Sequence, residues 1–94
     1  MRFIWNEAKA DANLRKHGIR FEEAARVFDD PLHLTEQERI EGGEYRWQTI
    51  GQIFGIIVIV VAHTIEGIGD ANETIRIISA RRATPRERKR YENG

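Results

Sequence analysis

The seven residues Ile56-Ile57-Val58-Ile59-Val60-Val61-Ala62 contain no polar side chain. In a β-strand successive side chains point to opposite faces, so this run is apolar on both. A strand of that kind belongs in the middle of a sheet covered on both sides. It is too short to span a bilayer. The rest of the chain therefore has to supply neighbouring strands and a cover for each face.

The neighbours are legible on either side. Glu44 to Ile53 alternates, with Tyr45, Trp47 and Thr49 on one side and Arg46, Gln48 and Ile50 on the other. Gly55 breaks it from the apolar run. Gly42-Gly43 is a two-residue hairpin signal, and it joins Glu44 to a polar edge strand over Leu32 to Ile40. Gly67 to Asn72 is expected as a loop, followed by a last strand from Thr74 to Ala80. Phe3-Ile4-Trp5 reads as a short first strand.

The covers are helical. Asn6 is a good N-cap for a helix over Glu7 to His17, which Gly18 stops. Phe21, Ala24, Ala25 and Phe28 recur at i, i+3, i+4 and i+7, which predicts a second helix ended by Asp29-Asp30-Pro31. Near the C-terminus Thr84 caps, Pro85 takes the first helical position and Glu87 completes a capping box. The predicted order is β-α-α-β-β-β-β-α over residues 1–94. That is one α+β domain on a single antiparallel sheet, with two N-terminal helices and a C-terminal helix.

Ninety-four residues without cysteine suit one small core and exclude disulfide and thiolate chemistry, which fits a reducing cytoplasm. The N-terminal stretch lacks the long apolar region of a signal peptide. Net charge is zero, but it is unevenly spread. Residues 1–20 carry five Lys and Arg against two acids, residues 21–75 three against eleven, and residues 76–94 seven against two. If the two basic ends meet in the fold, they make a surface that steers nucleic acid. Charge balance within a solvated surface is the plainer account.

Arg81 and Arg82 precede a helix N-terminus, where free N–H groups and guanidinium forks together favour a phosphate. In the first helix Lys9, Asn13, Lys16 and His17 share one face, and histidine is the side chain best suited to move protons near neutral pH. Lys16 and His17 also suit the last turn of a helix through its dipole alone. A metal site is not expected, because His17, His33 and His63 are dispersed and Asp29-Asp30 ends a helix. No glycine-rich phosphate loop or nucleophile elbow is present.

Several motifs together carry a resemblance: Phe3-x-Trp5, Lys9-x-x-x-Asn13-x-x-Lys16-His17-Gly18, and Phe21-Glu22-Glu23-Ala24-x-x-Val27-Phe28-x-Asp30. Further on stand Glu44-x-Arg46, Ile50-Gly51, Ile75-Arg76-Ile77-Ile78-Ser79-Ala80-Arg81-Arg82-Ala83 and Glu87-Arg88-x-x-Tyr91. The chain resembles the BrnT family of bacterial toxins nearly end to end. The resemblance implies a RelE-like fold and a cytoplasmic ribonuclease toxin of a type II toxin–antitoxin pair, whose RNA cleavage arrests growth. It also implies a BrnA-like antitoxin with a ribbon-helix-helix part, which represses the shared operon as a complex. A two-fold antitoxin would give a heterotetramer that meets operator DNA only through the antitoxin. One departure is Arg20, where a small capping residue is expected before Phe21.

Residue chemistry and resemblance agree on a basic phosphate site. Cleavage without a metal or other cofactor needs the ribose 2′-hydroxyl deprotonated, the phosphorane stabilised and the leaving 5′-oxygen protonated. Arg46, Arg81 and Arg82 suit the phosphorane because arginine stays charged. His17 is the first candidate for proton transfer, with Lys9 and Glu44 behind it. Lys16, Arg20, Arg76, Arg86, Arg88 and Lys89 are expected to bind RNA. Tyr91 and Trp47 are candidates to stack on a base, with core packing the alternative for Trp47. A non-catalytic nucleic-acid- or partner-binding module using the basic C-terminal helix would need the arginines but not His17. A third reading is a pure interaction protein, its acidic middle and basic ends holding a partner.

Overall fold

A computed structural model describes residues 1–69 and 71–94; of the loop expected over Gly67 to Asn72, Asp70 lies outside the described residues. The chain runs β1 (Arg2–Ile4), α1 (Glu7–His17), α2 (Phe21–Ala24), a 3-10 segment (Ala25–Asp29), β2 (Leu34–Glu41), β3 (Glu44–Ile53), β4 (Ile57–Glu66), β5 (Thr74–Arg82) and α3 (Pro85–Glu92). Among the described residues the strands form one sheet in the order β1-β5-β4-β3-β2. β4 is central, as its unbroken apolar run requires, and both of its faces are covered. Ile59 and Val61 join Phe21, Val27, Ile75 and Ile77 on the side of α1 and α2, while Val60 packs with Ile50 and Tyr91 on the other side.

The sheet is mixed, not wholly antiparallel, because β1 pairs with β5 in parallel through Arg2–Thr74, Phe3–Ile75 and Ile4–Arg76. The orientation has a physical reason. Leaving a parallel β1, α1 travels beside β5 in the same direction and brings Asn13 to Ala80. The Asn13 amide donates to the Ala80 carbonyl at 3.0 Å and to the Ile19 carbonyl at 3.1 Å, and its Oδ1 accepts from the Ala80 N–H at 3.0 Å. One buried side chain thus satisfies the outward backbone groups of Ala80, where β5 runs on beyond β1, as a neighbouring strand would.

The helix ends follow their local chemistry. The Lys9 N–H donates to Asn6 Oδ1 at 3.0 Å, and Gly18 closes α1 at φ 72°. The second helix is shorter than its apolar spacing predicts, remaining α-helical only to Ala24 before tightening into the 3-10 segment. Glu23 accepts from the Arg20 N–H at 2.9 Å. A guanidinium has no acceptor to offer in return, so half of the capping box is absent. Close packing also shapes this region: a Cβ on Gly51 would stand 2.5 Å from Val27 Cγ2, so only glycine lets β3 meet that segment.

Replacing Asn13 with alanine leaves the buried Ala80 N–H and C=O without partners. Such a loss costs about 1–3 kcal/mol, and the urea midpoint should fall accordingly with an unchanged m-value. A midpoint within error of wild type would show that the Asn13 clasp does not hold α1 to β5.

Candidate catalytic and nucleic-acid site

Alternation along the strands sends the candidate residues to two places. On the sheet face away from α1 and α2, both Glu44 carboxylate oxygens accept from Arg76 Nη2 at 2.6 Å, and Arg46 Nη2 lies 3.4 Å from Glu44 Oε1. The Arg46 Nε and the Thr64 hydroxyl beside this cluster are buried with no hydrogen-bond partner among the described residues. Further along the same face, Arg81 makes a two-pronged bond to Glu87, Nη1 to Oε1 at 2.7 Å and Nη2 to Oε2 at 2.9 Å. That bond is the main reason the Glu87 carboxyl is held down at about 2. Glu87 also accepts from the Thr84 N–H at 2.9 Å, so the expected capping box forms and its acid holds an arginine as well. Arg90, in the last turn of α3, pairs with Glu36.

The second place is the free edge of β5 alongside α1. Lys9 lines a cleft of about 350 Å³ with Arg76, Ile77 and Ile78, and also the adjoining cleft of about 250 Å³ with Lys16, His17 and Ser79. His17 continues into a cleft of about 180 Å³ with Glu23, Phe54 and Arg82. Among the described residues none of Lys9, Lys16, His17 and Arg82 forms an ion pair. A bulge helps to form this border. Ala62 faces Ser79 while His63 faces Ile77, so Ile78 is an extra residue on β5.

Arg81 and Arg82 do not converge. β5 remains regular through Arg82, opposite Val60 and Ile59 respectively, so the two side chains leave on opposite faces. Arg81 reaches α3, while Arg82 is exposed beside His17 and, with Arg88, beside a further cleft of about 230 Å³. Arg20, Arg86 and Lys89 are exposed as well. Tyr91 is not placed to stack on a base: the residue is buried, at 8% exposure, and its hydroxyl donates to Asp30 Oδ2 at 2.5 Å. Burial and that bond push Tyr91 up to about 12. Sequence patterning missed this tether because Asp30 and Tyr91 stand 61 residues apart.

His63, dispersed in sequence, is fully buried against Phe28 at 5.1 Å. Its Nε2 lies 2.7 Å from the Thr49 hydroxyl, itself 2.8 Å from that of Thr35. Among the described residues no three His, Asp or Glu side chains come together as a metal-binding group, and no helix is long and apolar enough to cross a membrane.

A sheet backed by helices and bordered by unpaired cations with a histidine among them defines a small α+β protein suited to a polyanionic ligand. The family model described as the ribonuclease toxin, BrnT, of a type II toxin–antitoxin system matches residues 5–87, and the chain belongs to that family. Its fold is similar to the 1.1 Å crystal structure of the Brucella abortus ribonuclease toxin, BrnT. The TM-score is 0.65 at 28% identity, covering 89% of this chain and 97% of that one. Comparison with curated proteins finds no match. Family membership makes the chain a ribonuclease toxin of a type II system, and a toxin of that class has an antitoxin.

Burial lowers the His63 pKa from 6.5 to about 4. Between those values the unfolded chain binds a proton that the folded chain does not, so stability is lost as pH falls through that window. The urea-derived stability should drop by about 2 kcal/mol between pH 7 and pH 5. His63→Gln should flatten that fall. An equal fall in the variant would assign the acid sensitivity to other groups.

Proposed function

We propose that this chain cleaves RNA without a divalent metal, through attack of a ribose 2′-hydroxyl on the adjacent phosphorus. The P–O5′ bond breaks, the 5′-oxygen takes up a proton, and a 2′,3′-cyclic phosphate remains. His17 transfers protons, and Arg82 stabilises the charge of the phosphorane. Lys9 and Lys16 hold the neighbouring backbone along the β5 edge, and Arg86, Arg88 and Lys89 extend that hold over α3. Arg76 contributes from the mouth of the first cleft, and Arg20 from the start of α2.

The observation that carries this reading is the position of His17. It borders two clefts, with Lys9 and Lys16 on one side and Arg82 on the other, and among the described residues no carboxylate forms an ion pair with these cations. Glu44 is a weaker candidate for the proton because both of its oxygens are engaged by Arg76. Arg46 and Arg81 stay in the proposal as groups on the opposite face. Arg46 has a free Nε, whereas Arg81 must release Glu87 before it meets a phosphate. The neutralising partner is a BrnA-like ribbon-helix-helix antitoxin, in a heterotetramer that meets operator DNA through the antitoxin. The complex acts in the cytoplasm.

Purified protein should cut RNA in excess chelator and leave a 2′,3′-cyclic phosphate or its 3′-phosphate product. Activity that disappears in chelator and returns with magnesium would overturn the mechanism.

Single-turnover rates at saturating protein separate the two arginines. Arg82→Ala and His17→Ala should slow cleavage on the order of a hundred- to a thousand-fold, the usual cost of one transition-state contact, with unchanged circular dichroism. Arg81→Ala should instead lower the thermal midpoint, because it strips Glu87 of its partner. Wild-type rates for both Arg82→Ala and His17→Ala would move the chemistry to the Glu44–Arg46 face.

A further inference from the structure

The hairpin between β3 and β4 holds a residue that folding alone does not explain. The Ile56 N–H donates to the Ile53 carbonyl at 3.2 Å, and the two residues between them, Phe54 and Gly55, have φ of 55° and 70°. A turn with positive φ at both central positions selects Asn-Gly or Gly-Gly. Phe54 is the only non-glycine residue with positive φ among the described residues. Its ring gains little burial in return, since it is 55% exposed. A bulky aromatic therefore occupies a site where asparagine would fold more easily, and it stands in solvent.

What surrounds the ring points to a ligand. Phe54 lines the cleft of about 180 Å³ shared by His17 and Arg82. On its other side it lines a cleft of about 310 Å³ with Arg26, whose guanidinium is 5.7 Å from the ring centroid. The second cleft sets two carboxylates, Asp29 and Asp30, against Arg26, whereas the first sets one, Glu23, already bonded to the Arg20 N–H, against Arg82 and His17, so the backbone belongs on the Arg82 side. An exposed aromatic between cations is the pattern of a single-stranded nucleic-acid platform. Every base offers a π-face, and arginine adds a cation–π contribution.

We propose that Phe54 is a stacking subsite for a base of single-stranded RNA, next to the nucleotide whose phosphate lies between His17 and Arg82. This rests on the reading of the chain as an RNA-cutting toxin. It adds a preference for unpaired RNA, because a base held in a duplex cannot lie on the ring.

The test uses Phe54→Asn, which suits the turn, with Phe54→Gly as a second variant and Phe54→Trp as the rescue. Binding of a 2′-O-methyl RNA oligonucleotide, which cannot be cut by 2′-hydroxyl attack, is measured by fluorescence anisotropy at fixed salt. Cleavage of the unmodified oligonucleotide is followed alongside. Phe54→Asn and Phe54→Gly should unfold at or above the wild-type midpoint yet bind on the order of ten- to a hundred-fold more weakly, with Phe54→Trp restoring affinity. The proposal is overturned by an equal Kd for Asn and wild type, by failure of Trp to restore a lost affinity, or by a wild-type protein that does not bind the oligonucleotide. Unchanged RNA affinity with lost antitoxin binding overturns it too and assigns the hairpin to the partner. The Kd comparison decides the stacking question whichever way cleavage falls: binding without cleavage would sink the nuclease chemistry alone.

Discussion

The clasp of Asn13 on Ala80 fixes how everything near His17 is arranged. Without it β5 would present buried backbone groups along a bare edge, an unstable ending for a sheet. With it α1 lies alongside that edge at a set height, and its second polar position serves the core instead of the ligand. The flanking positions on the same helical face, Lys9, Lys16 and His17, are thereby carried to the rim of β5. The parallel β1 and the helix direction set the height at which this side chain meets its partners, and the row of cations shares that register.

Much of this was legible because it depends on local pattern. The apolar run of β4 named the central strand, Gly55 and the loop from Gly67 to Asn72 set off its neighbours, and Asn6, Gly18 and Thr84 set helix ends that the hydrogen bonds reproduce. The face shared by Lys9, Asn13, Lys16 and His17 also followed from spacing. What escaped depends on distant contacts or on a single irregularity. Asp30 and Tyr91 are joined only by the fold. The extra residue at Ile78 reflects pairing with β4, which alternation within β5 does not reveal. Arg81 and Arg82 were expected at one phosphate because the strand was read as ending near Ala80; two more residues of pairing separate them.

The acidic middle of the chain explains the neutral total, and with Glu87 of the C-terminal segment it sets some arginines apart from the rest. Glu44, Glu36 and Glu87 hold Arg76, Arg90 and Arg81 on the α3 side of the sheet, where they tie strands and helix together. Lys9, Lys16, Arg82, Arg86, Arg88 and Lys89 have no such carboxylate among the described residues. Exposed pairs contribute little to stability, but a neutralised guanidinium is also a poor attractor of phosphate. Charge counting along the sequence treats these groups alike, and pairing in the fold divides them by task.

That division bears on how a polyanion would engage the surface. A phosphate arriving at Arg81 or Arg76 must displace a carboxylate already bonded at 2.6 to 2.9 Å, exchanging one charge-assisted pair for another with little net gain. A phosphate arriving at Lys9, Lys16 or Arg82 displaces only solvent and counterions, and the released ions favour binding. Among the described residues the cations of the β5 rim are therefore freer to meet a polyanion than Arg76, Arg81 and Arg90. His17 stands on that rim, with Lys9 and Lys16 on one side and Arg82 on the other, so a polyanion drawn to these cations would meet the imidazole at the end of α1.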